Sequence, residues 1–277
     1  INGSTGSSLT LTNVQGDDNG TYRVIVSNAA SSVASNGATL AVSLPTNLAG
    51  FGNGLIAYYP FNGNANDESG NSHNGTISGA TIGADRYGTA GKAYSFDGSN
   101  DYISASGNFP LGSTPRSLIF WARPTKTTGS ENIIGWGQQA TGKAFGAYAA
   151  HDAGRNGLYF YGHGEMNTYD FSANFTVDSM RHQYSIIHNG QTIIYYVDGN
   201  ETARHSAENL NTTGNSLIIG ARIDLQYHFT GPIDDIRIYD RDLSAAEVAQ
   251  LHSFEAPPII NTQPQSQTVA IGSNITL

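Results

Sequence analysis

Most of the chain consists of short segments in which apolar and polar residues alternate, with turn residues between them. They include GLIAYYPF, SLIFWARP, HQYSIIHNG and TIIYYVDGN, and they recur between residues 53 and 255. A period of two is typical of strands that have one buried face. No long segment with a helical period interrupts them, so the sequence predicts antiparallel strands packed as two sheets.

Local signals mark several turns and one helix. The dipeptides Asn189–Gly190 and Asp198–Gly199 lie between apolar segments. Both predict type I′ hairpin turns, in which the two central residues have positive φ. One helix is expected from Ser244 to about Leu251, with Ser244 as its N-cap and Glu247 completing a capping box.

The composition argues against several classes of protein. The formal charge is −9 and 13% of the residues are charged, without a cluster of Lys and Arg, so nucleic acid is not an expected partner. No apolar run approaches about 18 residues, so no membrane span is expected in this segment. Cysteine is absent, which excludes disulfides and cysteine-based zinc sites. Its absence favours a bacterial secreted protein or a cytosolic one.

Both ends of the sequence carry motifs that the centre lacks. The pattern Asp-x-Gly-x-Tyr at residues 18–22 resembles the tyrosine corner of immunoglobulin-like domains. Residues 1–44 are therefore interpreted as the last strands of such a domain, 45–52 as a linker and 256–277 as the first strands of a next domain. We expect the two ends to pair, within one chain or between neighbouring copies, because strands left alone expose an open sheet edge.

The central segment, 53–255, resembles the laminin-G-like domains of the concanavalin A-like jelly-roll superfamily. The matching motifs are LIAYYPFNGNANDESGNSHNGT, YSFDGSNDYI, IFWARP, YYVDGN and GPIDDIRIYDRDLSAAEVAQL. The resemblance implies an all-β, two-sheet antiparallel jelly-roll sandwich, flanked here by partial immunoglobulin-like strands at both ends. It also implies a module that binds glycans or proteins, frequently with one Ca²⁺ at the sheet edge. It does not imply a reaction.

One acidic residue of the closing motif needs a partner. Asp234 falls in phase with the isoleucines of its strand, which predicts a carboxylate on the core face. In the family that the chain resembles, the first and last strands lie side by side. We therefore expect one structural Ca²⁺ held by Asp67, Asn74 and Asp234 with backbone carbonyls, a donor set that suits calcium. The alternative is that Asp234 pairs with an arginine such as Arg86.

A second candidate site lies in the segment 145–170, which concentrates aromatic, histidine and arginine side chains. Aromatic faces and planar polar groups are the means by which proteins bind sugars. Tyr159 and Tyr161 share one strand face, expected to be exposed, and Leu158 and Phe160 share the core face. The alternative is that these tyrosines are ordinary strand formers. The candidate ligand-binding residues are Trp136, which is either core or platform, Tyr148, His151, Arg155, Tyr159, Tyr161, His163 and Tyr227.

These observations favour binding over catalysis. The sequence lacks the G-x-S-x-G, H-E-x-x-H and Walker motifs. We expect a non-catalytic carbohydrate-binding or adhesive module of a large multidomain protein, secreted or on the cell surface, whose partner is a glycan or cell-surface polysaccharide. The alternatives are a structural spacer or fibre-forming repeat that binds no glycan, and an appendage of a polysaccharide-degrading enzyme.

Overall fold

The structure is a computed structural model, and it describes residues 20–27, 31–40, 51–152, 154–164, 172–178, 180–207 and 209–255. The chain forms two compact units, one of Leu44–Glu255 and a smaller one of Ile1–Ser43 with Ala256–Leu277. No described helix is long and apolar enough to cross a membrane.

The elements of the described residues are mostly short strands. In the smaller unit they are β1 (Gly20–Tyr22), β2 (Ile25–Ser27), β3 (Ser32–Ala34) and β4 (Ala38–Leu40). In the larger unit they are β5 (Leu55–Tyr59), β6 (Thr76–Ser78), β7 (Thr81–Ala84), β8 (Ala90–Asp97), β9 (Tyr102–Ser106), β10 (Arg116–Ala122), β11 (Gly129–Gly137), β12 (Ala144–Asp152), β13 (Arg155–Phe160), β14 (His182–His188), β15 (Thr192–Val197), β16 (Asn200–Ser206), β17 (Ser216–Ile219), β18 (Thr230–Tyr239) and helix α1 (Ala245–Glu255).

Strands β5 to β18 form a sandwich of two sheets. The larger sheet has eight strands in the order β16-β15-β14-β10-β18-β8-β7, with β5 also paired to β18. The smaller sheet has six strands in the order β13-β12-β11-β17-β9-β6. The strand pairs of the described residues are antiparallel. The all-β jelly-roll sandwich expected from the sequence is therefore confirmed.

Strand β18 is the central strand of the larger sheet and pairs with three other strands. Strand β10 pairs along one edge, whereas β8 pairs with the first part of the other edge and β5 with the second part. A bulge separates the two parts. Trp121 lies opposite Asp234 and Ile119 lies opposite Arg237, and the intervening Asp235 has a positive φ of 44°.

The bulge corrects one expectation from the sequence, the orientation of Asp234. Ile233, Ile236 and Ile238 all pack in the main core. Because Asp234 and Asp235 both lie between the first two of these, strict alternation fails there. Asp234 therefore faces the opposite side of the sheet from Ile236, not the core side as its position in the sequence predicted.

The main core lies between the two sheets, and a second apolar cluster lies between the larger sheet and α1. Strand β10 contributes side chains to both apolar clusters. Leu118 and Phe120 pack in the main core, whereas Ile119 packs with Val248 and Leu251 of α1. With both faces covered, every residue of β10 is buried.

The signals for the helix and for one hairpin turn are confirmed. The Ser244 amide donates to Glu247 Oε2 at 2.8 Å and the Glu247 amide donates to Ser244 Oγ at 3.3 Å, which is the expected capping box. Asp198 and Gly199 both have positive φ, 49° and 75°, and they form the two-residue turn between β15 and β16. The Asn189–Gly190 expectation is wrong in type, since of these two residues only Gly190 has positive φ.

In the smaller unit the described strands form two antiparallel pairs. Strand β1 pairs with β4, and β2 pairs with β3. Residue 18 of the tyrosine-corner pattern and all of residues 256–277 lie outside the described residues, so the immunoglobulin-like interpretation stays a prediction.

Trp136 provides a test of the main core. Its side chain is 0% exposed, its ring centre lies 4.8 Å from that of Phe145, and its Nε1 donates to the Pro110 carbonyl at 2.9 Å. We expect Trp136→Ala to lower the free energy of unfolding by about 3–5 kcal/mol, measured by urea denaturation, because it leaves a large cavity. Trp136→Phe should lose less. A loss below about 1 kcal/mol for Trp136→Ala would contradict this packing.

Candidate functional site

The outer faces of the two sheets differ in what covers them. On the larger sheet, α1 packs over the outer face. On the smaller sheet, the outer face carries a cluster of alanine and tyrosine side chains rather than a helix. Its buried members are Ala144, Tyr148, Ala150, Tyr159 and Tyr161, with the partly buried Ile223 packed against them.

An open cleft of about 160 Å³ lies on this outer face. We call it the tyrosine cleft. Strands β11, β12 and β13 and the loop between β17 and β18 supply its walls. Its lining residues are Ser130, Asn132, Tyr148, Arg155, Tyr161, Arg222 and Tyr227.

The floor of the tyrosine cleft is built by paired strands. Tyr148 of β12 lies opposite Tyr159 of β13, and their rings stack with centres 5.2 Å apart. Tyr148 also lies opposite Asn132 of β11. Residues opposite each other in a sheet point to the same face, so these side chains form one layer.

One wall of the cleft is a guanidinium held in place by a carboxylate. Arg155 Nε and Nη2 donate to the two carboxylate oxygens of Asp152, at 2.7 and 2.5 Å. Arg155 Nη1 lies 3.4 Å from the Tyr148 hydroxyl, and Nη2 lies 3.3 Å from Ser130 Oγ. The hydrogen bonds from Arg155 hold the pKa of Asp152 below its usual value.

The opposite wall is the loop before β18, which has a second pair of this kind. Arg222 Nε and Nη2 donate to the carboxylate of Asp224 at 2.8 and 2.7 Å, and the pKa of Asp224 is lowered mainly by these bonds. The Arg222 guanidinium lies 4.3 Å from the centre of the Tyr227 ring. The Tyr227 carbonyl accepts a hydrogen bond from the backbone N–H of Asn132 at 2.8 Å, and this bond fixes the loop to the sheet.

Two groups in the cleft are placed to contact a ligand. Tyr227 has a positive φ of 52° and its side chain is 49% exposed, an unusual position for an aromatic ring. The side chain of Asn132 lines the cleft and is 5% exposed. Its amide carries both donor and acceptor groups, which suits a ligand that forms hydrogen bonds.

The family model of the laminin-G-like group, described as the concanavalin A-like lectin/glucanases superfamily, matches residues 97–249, more than half of the chain. The chain belongs to this superfamily. No curated protein sequence matches the chain.

Solved structures of similar fold include sugar-binding domains. Domain 4 of AbnA, a GH43 extracellular arabinanase from Geobacillus stearothermophilus in complex with arabinotriose, has a TM-score of 0.59 and 20% identity over 72% of this chain and 98% of that one. A botulinum neurotoxin type C structure, described by its interaction with two ganglioside molecules, has a TM-score of 0.59 and 15% identity over 74% and 52%.

The ligand-binding domain of botulinum neurotoxin serotype D, in complex with N-acetylneuraminic acid, has a TM-score of 0.57 and 15% identity over 75% of this chain and 52% of that one. The chain thus spans about half of the length of these toxin chains. At such identities the likeness shows the fold alone.

In this concanavalin A-like module, four of the eight candidate ligand-binding residues meet in the tyrosine cleft. They are Tyr148, Arg155, Tyr161 and Tyr227. Tyr159 lies on the same face, as expected from its strand, but both it and Tyr161 are buried rather than exposed. Leu158 and Phe160 pack in the main core, as expected.

The other three candidates lie elsewhere. Trp136 belongs to the main core and has no exposed surface, so its interpretation as a platform is wrong. His151 bonds to Asn156 Oδ1 at 3.1 Å, and His163, with a φ of 58°, packs its ring against Tyr161 at 6.1 Å. Neither histidine lines the cleft.

Sequence reasoning missed Ser130, Asn132 and Arg222. The alternation of Ser130 and Asn132 in GSENIIGW is the signal that could have placed these two on one strand face. Arg222 lies five residues before Tyr227, in the same loop, and no periodic pattern marks it.

The residues expected to hold calcium have other partners. Asp67 accepts hydrogen bonds from the backbone amides of Tyr58, Ser69 and His73, all at 2.9 Å, and Asn74 Oδ1 accepts one from the Asp67 amide. Burial alone would raise the pKa of Asp67, but these amides and the Ser69 hydroxyl hold it below its usual value.

Asp234 is likewise occupied. It accepts a hydrogen bond from Arg86 Nη1 at 2.9 Å, which is the alternative that the sequence left open. No group of three His, Asp or Glu side chains in the described part of the chain is placed to hold a metal ion. Asp67, Asn74 and Asp234 each have protein partners in this arrangement, and the calcium ion stays a prediction.

A substitution of Asp67 distinguishes a calcium ligand from a carboxylate that only stabilises its own loop. As a carboxylate that braces its own loop, it should stabilise the protein without metal, because its removal leaves three amides without acceptors. We expect Asp67→Ala to lower the free energy of unfolding by about 1–3 kcal/mol, equally in EDTA and in calcium. The control is Glu68→Ala, which removes an exposed acid beside it. A calcium-dependent rise in Tm that Asp67→Ala abolishes would instead support the calcium site.

Glu131 lies on the face of β11 opposite the cleft. Because it is buried, we expect the stability of the protein to depend on pH. It is 0% exposed, its Oε2 accepts a hydrogen bond from the Thr230 amide at 2.7 Å, and Oε1 has no hydrogen-bond partner among the described residues. Burial raises its pKa from 4.5 to about 7. The folded state therefore binds a proton more tightly than the unfolded state, and stability falls as the pH rises through this interval.

Glu131→Gln should remove that dependence. Between pH 4.5 and pH 7 the variant should gain up to about 3 kcal/mol of stability relative to the native protein, since one pKa unit corresponds to about 1.4 kcal/mol. Urea denaturation across this pH range measures the difference. Glu68→Gln, at an exposed position, should show no such trend, and a Glu131→Gln difference that is constant with pH would contradict the raised pKa.

Proposed function

We propose that the chain is a non-catalytic carbohydrate-binding module that holds a glycan in the tyrosine cleft. One observation carries this proposal. The cleft brings together the Asn132 amide, a half-exposed aromatic ring, Tyr227, and two guanidinium groups held in fixed planes by aspartates.

These groups match the chemistry of a sugar. The C–H face of a sugar ring packs on an aromatic ring, and its hydroxyl groups need both donors and acceptors. The Asn132 amide offers both on one planar group. Fixed guanidinium groups lose little conformational entropy when they form further hydrogen bonds.

The lining of the cleft contains no carboxylate, and the acids near it support binding without catalysis. Glycoside hydrolysis requires a carboxylic acid that is protonated near neutral pH, together with a second carboxylate. Asp152 and Asp224 are each bonded to an arginine and have lowered pKa values, so neither is suited to donate a proton. Glu131 has a raised pKa, but its side chain faces away from the cleft and is inaccessible to a substrate.

The relatives support the same class of function. The arabinanase domain and the two toxin domains are described with arabinotriose, gangliosides and N-acetylneuraminic acid. We propose that this module likewise serves a larger secreted or cell-surface protein, bacterial in origin, by attaching it to a glycan or polysaccharide. The arabinanase relative also supports the alternative setting, an appendage of a polysaccharide-degrading enzyme.

The smaller unit favours a second candidate, a structural spacer that assembles through its strands. Val24, Ile25, Val26 and Val33 are 63–69% exposed on the described hairpins. An apolar group of this kind favours contact with another chain segment or with a neighbouring copy. If no glycan binds and the protein assembles end to end in solution, the spacer is the better account.

Variants of the cleft test the leading proposal. A glycan array, including arabino-oligosaccharides and gangliosides, first identifies a ligand. Isothermal titration with that ligand should then show that Asn132→Ala and Tyr227→Ala each weaken binding by about tenfold or more, equivalent to 1.4 kcal/mol. Each change removes a direct contact and leaves the sandwich folded.

Matched controls come from the same residue types outside the cleft. Asn215→Ala, at an exposed position, and Tyr102→Ala, on β9 at a half-buried one, should bind with unchanged affinity. Glycan binding that survives both cleft variants would place the site elsewhere on the module. An array on which no glycan is bound would reject the proposal itself.

A further inference from the structure

The lining of the tyrosine cleft is rich in hydrogen-bond donors and contains no carboxylate. Every lining side chain carries an N–H or O–H group, and the two that are charged at neutral pH, Arg155 and Arg222, can only donate. The aspartates that pair with them, Asp152 and Asp224, do not line the cleft. A ligand that presents acceptors therefore fits this lining better than a ligand that presents donors.

Each of the two guanidinium groups has an end that its aspartate does not occupy. In both pairs the carboxylate accepts from Nε and Nη2. The nitrogens Nη1 and Nη2 form a second fork at the end of the side chain. At that end of Arg155, Nη1 lies 3.4 Å from the Tyr148 hydroxyl and Nη2 lies 3.3 Å from Ser130 Oγ. Both distances exceed the usual range of about 2.7–3.2 Å, so an ionised acceptor can replace these contacts.

We propose that the tyrosine cleft binds a sugar that carries a carboxylate, and that the guanidinium groups of Arg155 and Arg222 hold this carboxylate. The inference rests on the proposed function and names its ligand class. A planar carboxylate forms two parallel N–H···O bonds with a guanidinium fork, and bonds between ionised groups are about twice as strong as neutral ones. The hydroxyl of Ser130 and the amide of Asn132 supply further donors in the same lining.

The paired aspartates reduce this attraction without cancelling it. A ligand in the cleft contacts the guanidinium groups of the lining, whereas Asp152 and Asp224 lie outside the lining. Because Coulomb energy falls with distance, the nearer cations outweigh the carboxylates. The formal charge of −9 on the whole chain acts from farther away, and at physiological salt it is screened beyond roughly 8 Å.

The remainder of the cleft is suited to a single sugar ring. The Tyr227 side chain is 49% exposed even though the Arg222 guanidinium lies 4.3 Å from its ring centre, so its exposed part is available to the C–H face of a sugar. The cleft volume is about 160 Å³, below the roughly 300–1,000 Å³ of pockets that enclose drug-sized ligands. The cleft therefore receives one acidic unit of a glycan, and the charge of that unit decides the affinity.

Acidic sugars and their methyl esters test the inference on the native protein. Oligosaccharides that contain galacturonate, glucuronate or N-acetylneuraminate are each compared by isothermal titration with their own methyl ester, which keeps the ring and removes the charge. The free acid should bind about tenfold or more tightly than its ester, because only the acid forms bonds between ionised groups.

Variants of the two arginines test where the carboxylate lies. Arg155→Met and Arg222→Met should each lower the ratio of acid to ester affinity by about tenfold or more. Arg204→Met is the matched control, since Arg204 makes the same Nε and Nη2 pair with Glu201 on β16 of the larger sheet, and the ratio should not change. Circular dichroism and Tm establish that each variant is folded. Where a methionine variant does not fold, a lysine variant replaces it, which keeps the charge but lacks the fork.

The outcomes separate the inference from the proposed function. Equal affinity for acid and ester, or tighter binding of the ester, would overturn the inference and leave glycan binding in place. A preference for the acid that survives in folded variants of both Arg155 and Arg222 would also overturn it, because the carboxylate would then be held elsewhere. Failure to bind any sugar of either class would overturn the proposed function and the inference together.

Discussion

The ion pair between Arg86 and the aspartates of the β18 bulge is the interaction on which the larger sheet depends. Arg86 Nη1 bonds to Asp234 at 2.9 Å and to Asp235 at 2.6 Å. These residues lie where β18 changes its neighbour from β8 to β5, while β10 continues along the other edge. Arg86 thus holds the bulge at which β18 loses its regular register with β10.

The same network fixes the end of α1. Arg86 Nε donates to the Glu255 carbonyl at 2.8 Å, and Glu255 pairs through its carboxylate with Arg237. Glu255 Oε2 also accepts from Trp121 Nε1 at 2.6 Å and Gln183 Nε2 at 2.7 Å. Burial and the neighbouring Asp235 raise the pKa of Asp234, so the network is under electrostatic stress that Arg86 relieves. Loss of one partner from such a buried network is expected to destabilise by about 3–5 kcal/mol.

The sequence could predict what depends on local period, and it failed where a bulge changes that period. The strands, the α1 capping box and the faces of Leu158 and Tyr159 follow from alternation or spacing. The orientation of Asp234 does not follow from alternation, because the bulge at Asp235 inserts one residue. A second bulge, between Asn132 and Ile134 of β11, has the same effect, since it puts Asn132 and Trp136 on opposite faces.

The glycines around Trp136 show why composition alone misleads there. The sequence left Trp136 as either core or platform, and the glycines near it serve close packing of the strands. A Cβ at Gly146 would lie 2.2 Å from the Ile134 carbonyl oxygen, and a Cβ at Gly135 would lie 3.5 Å from the Tyr161 ring. Gly146 therefore lets β11 and β12 approach, whereas a Cβ at Gly135 would make only an ordinary contact with Tyr161. That purpose depends on residues far apart in the sequence, which no local pattern records.

Membership of the superfamily accounts for the sandwich but not for the ligand, and the positions of the cleft residues explain why. The core positions are constrained by packing on two sides, so unrelated sequences at 15–20% identity keep the same fold. Asn132, Arg155 and Arg222 lie outside that core, on an outer sheet face and in a loop. A substitution there changes the cleft with little effect on the sandwich. What the cleft binds must therefore be argued from its own residues, not from the sugars named for structures of similar fold.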